Sequence, residues 1–236
     1  MGESRGASAS LAILVPVLGD APALATLLEG PRDRSEQWIV INGDARDPSL
    51  ELLRAEHPDV CWLDSPAGRG QQLAAGLTRT TAEWVVIVHA DTRLGEGWRA
   101  EVTRAADDSS YEWGCFRLRL DSPAWQARLI ERVVRLRVWL FRLPYGDQAM
   151  FFRRATLEAL GGIPAVPLME DVILARRFAR RGAPFRSVVP AVTSARRWER
   201  DGWARRTVIN LWLLTKYLMG VPPERLAAAY DRTRRC

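Results

Sequence analysis

Trp84-Val85-Val86-Ile87-Val88-His89-Ala90-Asp91-Thr92 is an unbroken, largely β-branched apolar run that stops abruptly in polar residues. A run of this length without alternation reads as a strand buried on both faces, the kind found inside a parallel sheet. Ligands of such sheets bind beyond the carboxyl ends of the strands. His89, Asp91 and Thr92 therefore stand where chemistry is expected.

Upstream, the same pattern repeats. Strands are predicted at 11–17, 38–41 and 60–63, and helices at 21–29, 48–56 and 70–80. The turn Asn42-Gly43-Asp44 closes the second strand. The strand ends to watch are 16–20, 42–47, 64–69 and 89–92. Downstream the pattern is less regular. Residues 113–120 alternate as a half-exposed strand would, and 123–141 form a long amphipathic helix. There Trp125, Leu129, Val133 and Leu140 share one side, while Arg128, Arg132 and Arg135 line another. A strand at 149–152 and a helix at 155–160, stopped by Gly161-Gly162, come next. A helix at 170–181, a strand at 185–189 and helices at 203–218 and 224–232 complete the chain. The expected fold is α/β, a mostly parallel central sheet flanked by helices. It forms one domain over 11–200, after a polar, disordered segment at 1–10, and carries a helical extension over 201–236.

The 236 residues are 47% hydrophobic and 26% charged, enough apolar material for a sizeable core and too much for a disordered chain. The net charge is +6, and Arg supplies nearly all the positive charge. Its planar fork suits phosphates. A nucleotide, an anionic membrane or a nucleic acid all fit this balance, but the arginines are interleaved with apolar positions, which ranks nucleic acid last. Three scattered cysteines, Cys61, Cys115 and Cys236, do not make a disulfide framework or a zinc site, and a reducing cytoplasm is inferred. The apolar run after Ser10 is broken by Pro16, Gly19, Asp20 and Pro22, unlike a signal peptide. The apolar stretch 208–221 contains Asn210 and Lys216 and is too short to span a bilayer.

Four clusters carry candidate chemistry, each with a structural alternative. Asp91 at a strand exit is placed to hold Mg²⁺ or Mn²⁺ against a diphosphate, or to cap the next turn. Glu170 and Asp171 open a helix, where carboxylates suit the dipole; delivered by the irregular loop 161–167, they also fit proton transfer. Gly146-Asp147-Gln148 is a polar wedge between apolar segments, or a plain turn. Arg196-Arg197-Trp198 can clamp phosphates and stack on a ring, or form a solvated basic face.

Residues 13–20 and 38–47, His89-Ala90-Asp91-Thr92 and Glu170-Asp171 together resemble glycosyltransferase family 2, with its A-type nucleotide-sugar-binding fold. The chain is closer to the bacterial radical-SAM/selenodomain-associated glycosyltransferases through Gly68-Arg69-Gly70-Gln71-Gln72 and residues 143–148, 168–171 and 193–200. The likeness runs from Leu11 to Tyr230. Each motif is common alone; their order and spacing carry it.

The resemblance implies an inverting, metal-dependent transferase that moves a sugar from a nucleotide-diphosphate donor to an unidentified acceptor, with lipid-linked acceptors among the candidates. It implies that Pro16 and Asp20 approach the nucleotide, and that Asn42, Asp44 and Arg69 contact the base. Asp91 would hold Mn²⁺ or Mg²⁺, with His89 where the family has its first Asp. Asp171 would be the general base with Glu170 beside it. Arg197 and Trp198 would lie near the diphosphate, and Gly146, Asp147 and Gln148 on the acceptor side. Two departures stand out. His89 suits Mn²⁺ better than Mg²⁺, and Asn42 replaces the usual Asp. The implied location is the cytoplasm, with peripheral attachment to an anionic inner membrane face through the helices at 123–141 and 203–218. The alternative for those helices is that their aromatic side packs on the sheet. Competing functions are a nucleotidyltransferase, which would normally show a basic Gly-rich loop after the first strand, and a catalytically inactive nucleotide-sugar-binding or membrane-associated protein.

Overall fold

Every residue of β1 (Leu11–Val17) is buried, and its side chains divide between two cores. Ile13, Val15 and Val17 enter one apolar cluster and Leu14 the other. The computed structural model describes residues 9–235, with side chains described through Tyr230. Most of the expected disordered segment 1–10, and Cys236, therefore lie outside the described residues.

β1 is followed by α1 (Ala21–Leu28), β2 (Gln37–Asn42), α2 (Glu51–Glu56), β3 (Cys61–Asp64), α3 (Arg69–Leu77) and β4 (Trp84–Ile87). The four strands pair in parallel in the order β3-β2-β1-β4. The apolar run at Trp84 behaves as its composition requires. Trp84, Val86 and Val88 face one core, and Val85 and Ile87 face the other.

The second half contains β5 (Thr92–Leu94), α4 (Trp98–Asp107), β6 (Trp113–Asp121), α5 (Trp125–Phe141), β7 (Phe151–Arg153), α6 (Arg154–Ala159), α7 (Glu170–Ala179) and β8 (Phe185–Ser194). α8 (Arg196–Asp201), α9 (Trp203–Leu218) and α10 (Pro223–Arg235) complete the chain. The eight-stranded sheet has the order β3-β2-β1-β4-β7-β6-β8-β5. β6 and β8 are parallel, while β7 and β5 run antiparallel to their neighbours. The fold is thus mixed α/β, with a largely parallel sheet, flanking helices and C-terminal helical segments.

Several boundaries differ from expectation. β7 starts two residues later than the expected strand at 149, and α5 starts at Trp125 rather than 123. The strand expected at 185–189 runs on to Ser194. β5 and α4 occupy a stretch for which no element was expected.

The apolar side expected for α5 does not pack on the sheet. Ala127, Val134 and Val138 are its buried residues, whereas Trp125, Leu129, Val133 and Leu140 are exposed. α9 likewise exposes Val208, Leu211, Trp212 and Leu218. Among the described residues no helix is long and apolar enough to cross a membrane.

Candidate active site

The carboxyl ends of β1 and β4 meet the end of β8, because β5 folds back from the β4 exit onto it. Thr92 pairs with Thr193 across the antiparallel ladder, and the Ser194 N–H donates to the Asp91 carbonyl at 3.1 Å. The Thr92 and Thr193 hydroxyls lie 2.8 Å apart, and Thr193 Oγ1 donates to the Asp147 carbonyl at 3.0 Å. These ties hold the Asp91 turn, the start of α8 and the Gly146–Gln148 turn against one cleft.

The cleft has two adjoining lobes, of about 190 and 320 Å³. Arg69, His89, Asp91, Leu168, Arg197 and Tyr230 border both. Pro16 and Asp20 line only the larger lobe, and Gly146, Asp147, Asp171 and Trp198 only the smaller.

Asp20 sits at the N-cap of α1 but makes no capping bond. Its carboxylate pairs instead with Arg196, whose Nη1 lies 3.0 Å away and whose Nη2 is closer still. The same Nη2 is 3.6 Å from Asp91 Oδ2. Arg196 thus joins the first strand exit to the fourth. Arg197 follows it and borders both lobes, the residue as a whole exposed. Desolvation of its guanidinium lowers its pKa and the Asp91 charge works against that. A guanidinium stays protonated under such conditions, so two fixed cations flank Asp91.

Glu170 and Asp171 open α7 behind Met169, which adopts the left-handed conformation at φ 70°. A non-glycine residue there stores backbone strain, a feature that clusters at functional sites. Arg69, the first residue of α3, forms a close ion pair with Glu170, and its Nη2 lies 3.4 Å from Asp171 Oδ2. Burial raises the Glu170 pKa, Arg69 opposes this and Asp171 adds to it. Burial also disfavours the Arg69 charge, but Glu170 and Asp171 outweigh it and raise its pKa. Asp171 Oδ2 accepts the Gly146 N–H at 2.8 Å, and Oδ1 accepts the Val172 N–H at 2.8 Å. The helix-start placement expected of these acids holds, but both are also wired across the cleft.

Close approach explains two glycines here. A Cβ on Gly70 would lie 2.3 Å from the Pro164 carbonyl and 2.4 Å from that of Val166. The loop leading to Glu170 therefore rests on the α3 backbone. A Cβ on Gly146 would come within 2.7 Å of His89 Nε2. That nitrogen is buried and, among the described residues, has no hydrogen-bond partner. Burial, then the Arg69 and Arg197 charges, lower the His89 pKa, so the imidazole is neutral.

Burial pushes the Asp147 carboxyl up to about 6, with Arg137 and Arg69 opposing and Asp171 and Asp91 reinforcing the shift. Its Oδ1 is buried and has no hydrogen-bond partner among the described residues.

Other expected site residues are placed elsewhere. Asn42 Nδ2 donates to the Asp44 carbonyl at 2.6 Å and to Asp64 at 3.1 Å, while its Oδ1 accepts the Asp44 N–H at 3.0 Å. Asn42 closes a turn, Asp44 is exposed, and neither lines the cleft. Gln148 also turns away. It donates to the Phe116 carbonyl at 3.2 Å and accepts from the Tyr145 N–H at 3.3 Å. Gln72, from the Gly68–Gln72 motif, is structural: its Nε2 ties the ends of β1 and β2 through the Val17 and Ile41 carbonyls.

The C-terminal helices contribute cleft residues that the sequence reading missed. Arg206 and Asn210 of α9 and Tyr230 of α10 line the smaller lobe. Arg206 Nη2 donates to the Tyr230 hydroxyl at 2.6 Å. The lone aromatic residue of the stretch 224–232 was the available signal.

A divalent cation would find one suitable carboxylate, Asp91. Among the described residues no group of three or more His, Cys, Asp or Glu side chains could hold a metal ion. Mg²⁺ and Mn²⁺ bound with a diphosphate need only one or two carboxylates, because phosphate oxygens and water complete the shell. The residues present fit that arrangement.

No protein-family model matches the sequence, and no curated protein matches it. Among solved structures, the fold is similar to the mannosyltransferase PcManGT from Pyrobaculum calidifontis in complex with GDP-Man and Mn²⁺. Identity is 19% and the TM-score 0.53, over 79% of this chain and 57% of that one. It is also similar to S. aureus TarS in complex with UDP-GlcNAc, at 12% identity and a TM-score of 0.55, over 78% of this chain and 55% of that one. At these identities the likeness is one of fold, and this chain spans a little over half the length of either structure.

Proposed function

We propose that the chain is an inverting glycosyltransferase of the family 2, A-type class, moving a sugar from a nucleoside-diphosphate donor to an acceptor hydroxyl. The observation that carries the reading is the meeting of Asp91 and Asp171 in one cleft at the carboxyl edge of the sheet, with Arg69 and Arg197 on the shared border of its two lobes. Two carboxylates of separate roles amid fixed cations suit a diphosphate leaving group and a hydroxyl nucleophile.

The nucleotide occupies the lobe lined by Pro16 and Asp20, and the acceptor enters that of Gly146, Asp147 and Trp198. Arg196 and Arg197 stabilise the negative charge that grows on the departing diphosphate. Asp91 would hold a divalent cation, which adds positive charge at the same place. Asp171 takes the proton from the acceptor hydroxyl as its oxygen attacks the anomeric carbon from the face opposite the diphosphate. The Gly146 N–H and Arg69 hold its carboxylate in position. Glu170 positions Arg69. One displacement without a covalent intermediate inverts the configuration. Residues 11–200 make up the transferase domain, and the helical extension finishes its cleft.

The test is release of nucleoside diphosphate from a panel of nucleotide sugars, with and without Mn²⁺, alongside thermal shifts for the same ligands. A stabilising donor and slow hydrolysis of it support the proposal. Stabilisation by a donor with no turnover under any acceptor mixture favours the non-catalytic binding protein. Pyrophosphate release from a nucleoside triphosphate and a sugar phosphate favours a nucleotidyltransferase.

A further inference from the structure

We propose that α5 lies along the surface of an anionic bilayer, its apolar stripe in the boundary between headgroups and acyl chains and its arginines on lipid phosphates. Trp125 is 70% exposed, Leu129 50%, Val133 57%, Leu136 54% and Leu140 52%, and their spacing along the helix puts them on one face, with Trp139, 62% exposed, flanking them on the arginine side. Leaving such a stripe in water is unfavourable in proportion to its area, and a contiguous patch of this kind marks an interaction surface.

Beside the stripe a groove of about 530 Å³ runs between α5 and strands β6 and β8. Leu136 of the stripe and the flanking Trp139 also line the groove, and Phe116 and Leu118 continue the apolar surface inward. Arg117, Arg132, Arg135 and Arg186 border it, all exposed. Among the described residues none of the four forms an ion pair. The one acid of α5, Glu131, is taken by Arg128 at 3.1 Å and by the Leu120 N–H at 2.8 Å.

This charge pattern selects the occupant. A second copy of the chain packed through the same face would bring this arginine-bordered surface against itself, where the one acid of α5, Glu131, is already paired. Anionic headgroups meet the same arginines with opposite charge. Trp near both ends of the stripe suits a surface that is apolar below and wet above.

The full-length protein is floated with vesicles of equimolar phosphatidylcholine and phosphatidylglycerol, and with phosphatidylcholine vesicles, at low and high salt. Nucleotide sugar is left out, so the result is independent of the transfer reading. The expected result is binding to the anionic vesicles at low salt, weakened by salt, with little binding to the neutral ones. Leu136→Gln with Trp139→Gln should lower the affinity at least tenfold. Arg132→Ala with Arg135→Ala should lower it by about 30-fold, from about fivefold per arginine at an anionic surface. Both pairs are exposed, so thermal unfolding should match wild type. Absence of wild-type binding at low salt overturns the proposal. So does binding that survives both α5 variants but is lost with Trp212→Gln on α9, or a dimer in sedimentation that the Leu136/Trp139 variant dissociates.

Discussion

The Gly146 N–H donates to Asp171 Oδ2 at 2.8 Å, across 25 residues of sequence. It fixes the carboxylate from the side of the cleft where an acceptor would enter. Asn in place of Asp171 retains a carbonyl oxygen for this bond, gives up the second oxygen that accepts the Val172 N–H, and cannot take a proton. Asp171→Asn is therefore expected to keep the fold and donor affinity and lower kcat by about 10² to 10⁴. Steady-state rates with a working donor and acceptor check this. Turnover near wild type would make Asp171 a structural acid and sink the proposed mechanism.

Asp91 meets Arg196 at 3.6 Å, and Arg196 has a closer partner in Asp20. Removing the Asp91 carboxylate should therefore alter stability by less than about 1 kcal/mol. Asp91→Ala should nevertheless abolish the Mn²⁺-dependent part of nucleoside-diphosphate binding. Calorimetry with and without Mn²⁺ separates the two effects. Unchanged Mn²⁺-dependent binding in the variant would move the cation elsewhere in the cleft.

The Asp147 carboxyl rises from 3.8 to about 6, mainly by burial, so the native state holds its proton more tightly than the unfolded chain. Its contribution to stability is complete below 3.8 and is lost as the pH climbs through about 6. Asn does not titrate. Asp147→Asn should match wild type near pH 4 and become the more stable protein above pH 6, by at most about 3 kcal/mol. Thermal melts of both proteins from pH 4 to 8 give the comparison. Parallel curves would place the Asp147 carboxyl in ordinary solvent.

β1 and β4 were legible because both faces are buried, which leaves an apolar run with no competing period. α4 was not. Its inward face includes Glu101, 6% exposed, which accepts from the Ser187 hydroxyl and the Val188 N–H. A buried carboxylate with tertiary partners looks from sequence like a solvent residue and breaks the helical pattern. β8 was cut short at Pro190, which punctuates most strands. Here it pairs with Arg117 beside the irregularity in β6, where a ladder tolerates proline. At the site, Asp91 and Asp171 were legible as acids at a strand exit and a helix start. The Arg69 partnership was not, since Glu170 lies 101 residues away. Asn42 could be read two ways: a polar residue ending a strand can face a ligand or close its own turn, and here its hydrogen bonds run within the turn and to Asp64.

The loop before α7 depends on Gly70. A Cβ there would meet two backbone carbonyls, at 2.3 and 2.4 Å, and neither can rotate away as a flexible side chain could. Gly70→Ala should force residues 164–166 outward, costing about 1 to 3 kcal/mol as overpacking does. Because that loop delivers Glu170 and Asp171, kcat should fall as well. Urea denaturation and rates on the same sample check it, and a variant of unchanged stability would mean that the loop does not rest on α3.

Arg206 is 8% exposed, and its charge is met by the Tyr230 hydroxyl at 2.6 Å and Asp201 Oδ2 at 3.6 Å. A buried guanidinium that loses an acceptor is expensive, because hydrogen bonds to charged groups contribute about 1.5 to 3 kcal/mol. Tyr230→Phe removes the hydroxyl and keeps the ring, so its stability loss should fall in that range. Tyr230 also borders both lobes, so loosening Arg206 and α10 should weaken donor binding more than it slows transfer. The expected kinetic sign is a raised KM for the nucleotide sugar with kcat within about threefold of wild type, as when a group binds ground and transition states alike. A drop in kcat at constant KM would give Tyr230 a role in the chemical step. An unchanged KM, kcat and unfolding midpoint would mean that α10 does not close the cleft in solution.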